Sequence, residues 1–300
     1  MHERILVATD LSEQADRAIL AADALAKRKG GKLGVVHVLP NLQPLSVLFP
    51  QAVAKGALSI VDLEKRAGEV VQDRVRKLTQ READGIELFI DSGADYAAIV
   101  KAGEKWKADL VVVGSHGHTG MTRAVLGSVS EKVVRYAHSS VLVVRPASNE
   151  NGPVVASTDL SDASLAAVDV AAHEAKARGV ELYVLHAVDT LPLVAGNLAG
   201  TPLGLYGVGL DAESAEGLVA AAKSALEGAL SARNVKGHAE ALRGTASASV
   251  VQRAEELGAQ LIVTTTHGRT GLSRVLLGSV AESLVRHAPC ATFVVRAKQA

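Results

Sequence analysis

The sequence predicts an α/β protein built from two tandem copies of one parallel-sheet domain. The first observation is internal repetition: residues 114–135 and 265–286 align without gaps and are identical at 12 of 22 positions. The second is the alternation of short apolar segments with helix-patterned segments along the 300-residue chain. Such alternation is typical of parallel strands whose crossover helices cover both faces of the sheet. We expect one domain over residues 1–147 and a second over residues 152–300.

Each predicted domain has five strands. In the first copy the apolar segments expected to form them are residues 4–8, 33–39, 86–90, 109–113 and 140–144. The segments between them that are expected to be helical are residues 13–29, 59–81, 95–106 and 124–137. A short polar linker, residues 146–152, precedes the second copy, which repeats the same order.

Composition and charge narrow the classes of partner. Lys+Arg and Asp+Glu both number 32, which argues against the broad basic surface of a nucleic-acid-binding protein. No apolar stretch approaches the roughly 20 residues of a membrane helix, and no signal-peptide pattern opens the chain. The single cysteine, Cys290, fits a reducing compartment. We therefore expect a cytoplasmic protein with neither a nucleic-acid nor a membrane partner.

A glycine-rich segment follows the fourth predicted strand. It reads Gly114-Ser115-His116-Gly117, then nine residues, then Gly127-Ser128. At a turn between a strand and a helix, backbone N–H groups can face an anion, and glycine allows close approach because it has no Cβ. The segment lacks the Gly-Lys-Ser/Thr of a P-loop and the spacing of G-x-G-x-x-G. It predicts a phosphate site; the alternative is a tight corner without a ligand.

The first predicted strand also ends in distinctive residues, Thr9-Asp10. In open parallel sheets, ligands bind at the carboxyl ends of the strands where the strand order reverses. If the first and fourth strands are neighbours there, Asp10 and Gly114 line one crevice. A carboxylate accepts hydrogen bonds from amino and hydroxyl groups, so a nucleotide fits the chemistry of this crevice.

These motifs resemble those of the universal stress protein family. Ala8-Thr9-Asp10-x-Ser12 follows the first strand and G-x2-G-x9-G-[ST] follows the fourth, and the resemblance covers nearly the whole chain as a tandem pair. It implies a sheet of order 3-2-1-4-5, the adenine nucleotide alpha hydrolase-like fold. Members that keep the full glycine motif resemble ATP-binding proteins. The resemblance therefore implies a regulatory module of the stress response that binds ATP or AMP, and it leaves room for Mg²⁺ with ATP.

The same resemblance assigns residues of the first copy to the nucleotide. Asp10 would contact the adenine or ribose, and Val38 would offer backbone groups to the base. Gly114 and Gly117 would approach the ribose and phosphates, and the segment that begins at Gly127 would hold the phosphates. The complete predicted set is Ala8, Thr9, Asp10, Val38, Val113, Gly114, His116, Gly117, Gly127, Ser128, Val129 and Ser130.

The second copy departs from this pattern. Thr265 replaces Gly114, and Ala281 replaces Ser130. A β-branched residue adds bulk and stiffness where close approach is wanted, so we expect weaker or absent nucleotide binding there. The open alternative is a threonine that points away and leaves the pocket competent. The corresponding residues are Asp159, Ala187, Thr265, Gly268, Gly278, Ser279 and Val280.

No catalytic residue is assigned. No nucleophile with an adjacent base and no metal-ligand spacing is recognisable. His116 and His267 are therefore interpreted as loop residues that contact phosphate or pack against it. Two alternatives remain open: an interaction protein that does not depend on nucleotide, and a slow ATPase or autophosphorylating protein with Ser128 or Ser130 as acceptor. The apolar fifth strands, by the same family resemblance, imply an intramolecular pseudo-dimer, with a further homodimer also open.

Overall fold

The computed structural model describes residues 3–41, 60–116, 126–147, 149–189, 212–266 and 277–296. Contacts between residues divide the chain into two compact units, Met1–Arg145 and Pro146–Ala300. No helix within the described ranges is long and apolar enough to cross a membrane.

The first unit alternates strands with helices. Its strands are β1 (Arg4–Thr9), β2 (Lys32–Leu39), β3 (Ile86–Ser92), β4 (Leu110–Gly114) and β5 (Ser140–Val144). Its described helices are α1 (Glu13–Lys29), α2 (Ile60–Thr79), α3 (Asp95–Trp106) and α4 (Ser128–Tyr136), and a 3-10 turn covers Ala83–Gly85. The strands pair in parallel in the order β3-β2-β1-β4-β5. The predicted order 3-2-1-4-5 is therefore confirmed.

The second unit repeats this arrangement. Its strands are β6 (Val154–Ser157), β7 (Leu182–Val188), β8 (His238–Arg243), β9 (Leu261–Thr265) and β10 (Ala291–Val295). Its described helices are α5 (Asp162–Arg178), α6 (Ala212–Ala232), α7 (Ala246–Glu256) and α8 (Ser279–His287). Parallel pairing in the order β8-β7-β6-β9-β10 reproduces the first unit strand for strand. The predicted fold class, two tandem α/β domains, is confirmed.

The start of α4 differs from the prediction. The sequence predicts a helix from residue 124, but α4 begins at Ser128, because Gly127 has an extended backbone (φ −64°, ψ 142°) and serves as the N-cap. Leu126 and Gly127 precede the helix, and residues 124 and 125 lie outside the described residues. Helix propensity alone does not reveal this boundary, since the apolar residues before Gly127 suit a helix equally well.

The position of α3 over the sheet is set by a glycine in β2. A Cβ on Gly34 would lie 2.7 Å from Cζ3 of Trp106, so the indole ring at the end of α3 packs directly on the backbone of β2. Phe89 of β3 meets the same indole edge-on, with ring centroids 5.9 Å apart. Because side chains alternate along a strand, Val36 and Val38 face the same side of the sheet as Gly34. The amino end of α3 therefore lies near the carboxyl end of β2.

Thr292 in β10 generates a prediction about stability. Its side chain is fully buried, and its Oγ1 has no hydrogen-bond partner in the part of the chain that the structure describes. Replacing a buried, unsatisfied hydroxyl by a methyl group of the same shape removes a desolvation cost of about 1 kcal/mol. We expect Thr292→Val to raise the free energy of unfolding by about that amount, measured as a higher urea midpoint.

Thr79→Val is the matched control. Thr79 is also buried, but its Oγ1 donates a hydrogen bond of 2.8 Å to the carbonyl oxygen of Val75. The same substitution there should lower the urea midpoint. A midpoint that falls in both variants would contradict the interpretation of Thr292.

Candidate ligand-binding site

A cavity of about 390 Å³ opens at the carboxyl edge of the first unit's sheet. Its volume lies within the range of small-molecule sites. It is located where β1 lies between β2 and β4, which is the point at which the strand order reverses. The lining residues are Ala8, Thr9, Asp10, Ala15, Val36, Val38, Asp95, Ile99, Val113, Gly114, His116, Gly127, Ser128, Val129 and Ser130.

The cavity brings together the residues that the sequence singles out in the first copy. Every member of that predicted set within the described residues lines it, and Gly117 lies outside the described residues. The predicted set lacks four lining residues, namely Ala15, Val36, Asp95 and Ile99. The spacing of residues along the chain indicates some of them. Val36 is two residues from Val38 and shares its strand face, and Asp95 and Ile99 lie one helical turn apart.

Asp10 is held by a turn between β1 and α1. Its Oδ1 accepts hydrogen bonds from the backbone N of Ser12 at 3.0 Å and from Ser12 Oγ at 2.6 Å. Ser12 Oγ in turn accepts from the backbone N of Ala15 and caps α1. Leu11, between the two polar residues, has a positive φ of 66°. The carboxylate is therefore fixed in orientation before any ligand arrives.

The second unit repeats this turn. Asp159 Oδ1 accepts from the backbone N of Ser161 at 3.0 Å and from Ser161 Oγ at 2.5 Å. Leu160 has a φ of 65°. Ser164 stands where the first unit has Ala15, and its Oγ lies 2.7 Å from Thr158 Oγ1. The turn is thus conserved between the copies, while its surroundings become more polar in the second.

A histidine forms a hydrogen bond with the backbone at the end of the first strand in each unit. His37 Nδ1 lies 2.8 Å from the carbonyl oxygen of Thr9, and His186 Nδ1 lies 2.8 Å from that of Thr158. A carbonyl oxygen can only accept, so Nδ1 holds the proton in both residues. These two histidines position the Thr-Asp turns and do not line the cavity themselves.

A backbone hydrogen bond of Gly127 links the start of α4 to the end of β4. Its backbone N donates to the carbonyl oxygen of Ser115 at 2.8 Å, and a Cβ at this position would lie only 3.2 Å from that oxygen. At Gly114 the added Cβ would be 3.4 Å from the carbonyl oxygens of Gln14 and His116. The restriction on a side chain is therefore stricter at position 127 than at position 114.

The second unit follows this ranking. Gly278 is retained at the strict position, and its backbone N donates to the carbonyl oxygen of Thr266 at 2.7 Å. Thr265 occupies the position of Gly114 and is buried there as the last residue of β9. In the first unit a Cβ at this position would be in ordinary van der Waals contact with the protein, and weaker nucleotide binding by the second unit stays a prediction.

The first turn of α4 lines the cavity. Its N-cap, Gly127, has no side chain to accept hydrogen bonds from the first N–H groups of the helix. A helix N-terminus has a partial positive charge that favours an anion. Ser128, Val129 and Ser130 form this turn and line the cavity.

The hydroxyl group of Ser130 makes a hydrogen bond within the protein. Its Oγ donates a hydrogen bond of 2.6 Å to the carbonyl oxygen of Gly114 and so ties the end of β4 to α4. The hydroxyl proton is therefore already used within the protein, and the direct contact of this hydroxyl with phosphate stays a prediction. Ala281 cannot make the corresponding bond in the second unit, so that tie is specific to the first.

His116 lines the cavity and has one ring nitrogen that is buried. Its Nδ1 lies 3.0 Å from Ser115 Oγ, while its buried Nε2 has no partner among the described residues. Burial lowers the pKa of the imidazole, and the positive charge of Arg145 lowers it further. The ring is therefore neutral at pH 7.

The predicted residues of the second unit also lie at one edge of their sheet. Asp159 follows β6, Ala187 lies in β7, Thr265 ends β9, and Gly278, Ser279 and Val280 begin α8. Gly268 and His267 fall outside the described residues. Within the described ranges, no group of three His, Cys, Asp or Glu side chains could hold a metal ion.

Comparison with known proteins supports the family resemblance. The sequence profile of the universal stress protein family matches residues 1–145 and 150–296. The chain therefore belongs to the universal stress protein family, as a tandem member.

Individual relatives agree with this assignment. A universal stress protein of Mycolicibacterium smegmatis is 26% identical over 302 residues, which cover 97% of this chain and 96% of that protein. One from Methanocaldococcus jannaschii is 38% identical over 154 residues, 51% of this chain and 87% of that protein. A solved universal stress protein structure from Archaeoglobus fulgidus has a TM-score of 0.64 at 23% identity, covering 98% of this chain and 96% of that one. The similarity to the Archaeoglobus fulgidus structure shows a shared fold.

His116 predicts a pH dependence of stability. The unfolded imidazole takes up a proton near its ordinary pKa of 6.5, whereas the folded imidazole takes it up only at lower pH. The unfolded chain then binds more protons, so the free energy of unfolding falls as the pH drops below 6.5 toward the folded pKa. We expect His116→Gln, which cannot titrate, to lose less stability than the wild type between about pH 7.5 and about pH 5.

Urea midpoints measured at a series of pH values test this expectation. The variant and the wild type should diverge progressively over the acidic range. Parallel pH profiles for the two proteins would show that His116 is not held neutral by the fold.

Proposed function

We propose that the first domain binds an adenine nucleotide, ATP or AMP, and that the protein is a regulatory module of the stress response whose interactions depend on that nucleotide. The observation that supports this most is the composition of one cavity. It combines a fixed carboxylate at Asp10, an apolar wall, and the uncapped first turn of α4.

The apolar wall suits a purine base. Val36 and Val38 of β2 and Ile99 of α3 line the part of the cavity above β2. Ligand pockets are mostly apolar with a few placed polar groups, which fix the orientation of the ligand. Backbone groups of Val38, near the carboxyl end of β2, complete the expected contacts with the base.

The opposite part of the cavity suits phosphate. The first turn of α4 and the neutral His116 lie there, with Nε2 of His116 unpaired among the described residues. Among the described lining residues none is Lys or Arg. The phosphates would therefore be held by backbone N–H groups and the helix N-terminus more than by side-chain charge.

The second domain is proposed to bind nucleotide more weakly. It keeps the Asp159 turn and Gly278, but Ala281 lacks the hydroxyl with which Ser130 fixes β4 to α4. Ala246 stands at the first residue of α7, where α3 has Asp95. Pairing of the two domains through their fifth strands, a further homodimer and a cytoplasmic location also remain proposals.

Ser128→Glu tests whether the first turn of α4 binds the phosphates, and the substitution should not destabilise the fold. Ser128 is exposed and is the first residue of α4, where an acidic side chain stabilises a helix. The same negative charge would repel phosphate across a short distance. We expect affinity for ATP, measured by isothermal titration calorimetry, to fall by about tenfold or more, the equivalent of about 1.4 kcal/mol.

Ser279→Glu is the matched control, because Ser279 is the equally exposed first residue of α8. This variant should bind ATP as the wild type does. Equal losses in both variants would place comparable sites in both domains, and absence of binding to the wild-type protein by ATP and AMP alike would overturn the proposed function.

A further inference from the structure

Asp95 is a second carboxylate at the cavity. It is the first residue of α3 and lines the cavity, and its side chain is exposed. Its carboxylate has no hydrogen-bond or ion-pair partner in the described part of the chain. Asp10, in contrast, is engaged by Ser12. Asp95 is therefore the carboxylate with its full accepting capacity left for a ligand.

Asp95 begins α3, the helix that lies over β2, whereas α4 follows β4. Trp106 packs on Gly34, which holds α3 over β2, and Ile99 lines the cavity one turn after Asp95. The first turn of α4 follows β4, and β1 separates β4 from β2. Two strand spacings amount to about 9.6 Å. This length suits a nucleotide that lies across β1, with its phosphates near α4 and its base near α3.

Asp10 and Asp95 then face different parts of such a ligand. Asp10 follows the central strand β1 and lies nearest the middle of the ligand, where the ribose would be. Asp95 lies beyond it, beside the apolar wall formed by Val36 and Val38. A carboxylate accepts hydrogen bonds and cannot donate them. It therefore favours a base that offers an N–H donor and disfavours one that does not.

We propose that Asp95 is a specificity-determining residue that accepts a hydrogen bond from the exocyclic amino group of the purine base. This inference rests on the proposed function, because it requires a nucleotide in the cavity. It also adds a difference between the copies, since Ala246 at the matching position of the second domain has no acceptor.

A double-mutant cycle tests the proposed contact. Calorimetry would measure the affinities of the wild type and of Asp95→Ala for ATP and for purine riboside 5′-triphosphate, which has hydrogen in place of the amino group. The wild type should prefer ATP by about tenfold, because only ATP can donate a charge-assisted hydrogen bond to Asp95. In Asp95→Ala the preference should shrink to about twofold or less.

Asp73→Ala controls for the change in net charge. Asp73 is an exposed residue of α2 that does not line the cavity, so this variant should keep the wild-type preference for ATP. The same cycle with 2′-deoxy-ATP should show no coupling between Asp95 and the ribose hydroxyl.

The outcomes separate the two claims. If both triphosphates bind and Asp95→Ala leaves their ratio unchanged, or if the coupling appears with 2′-deoxy-ATP, the role of Asp95 is overturned while nucleotide binding stands. If neither triphosphate binds to the wild type, the proposed function is overturned and the role of Asp95 with it.

Discussion

The close approach of Gly127 to Ser115 is the contact on which the candidate site depends. The backbone hydrogen bond between these residues, 2.8 Å long, brings the start of α4 back to the end of β4, and a Cβ at 127 would lie 3.2 Å from the Ser115 oxygen. Because glycine has no side chain, the same residue leaves the first turn of α4 without a side-chain cap. Glycine at position 127 thus permits the close approach to Ser115. It also leaves the first N–H groups of α4, at the cavity, without a side-chain acceptor at the N-cap.

The duplicated domains keep this corner and differ around it. Gly278 and the Asp159 turn repeat the geometry of the first domain. The differences are in the residues that would contact a ligand or fix the cavity wall, such as Ser130 against Ala281 and Asp95 against Ala246. The second domain therefore keeps the turn and the corner but lacks two polar side chains that line the cavity of the first.

The strand order follows from the resemblance to the universal stress protein family, and most cavity residues have local signals in the sequence. Asp10, Gly114 and Gly127 stand at strand and helix ends, where spacing alone places them at one edge of the sheet. Asp95 and Ile99 are different, since they reach the cavity only because α3 crosses over β2, a tertiary fact set by packing on Gly34. The effect of Thr265 on binding stays a prediction, because the distances at Gly114 concern a Cβ against protein atoms and not the bulk of a threonine against a ligand.

The central claim is that one domain of the pair holds the stronger nucleotide site. Amide hydrogen exchange followed by mass spectrometry would compare the segments around α4 and α8 with and without ATP, in the full-length protein. Nucleotide binding at the first turn of α4 predicts slower exchange around Ser128–Ser130, with little change around Ser279–Ala281 at the same ATP concentration. Equal protection of both segments, or protection of α8 alone, would contradict it.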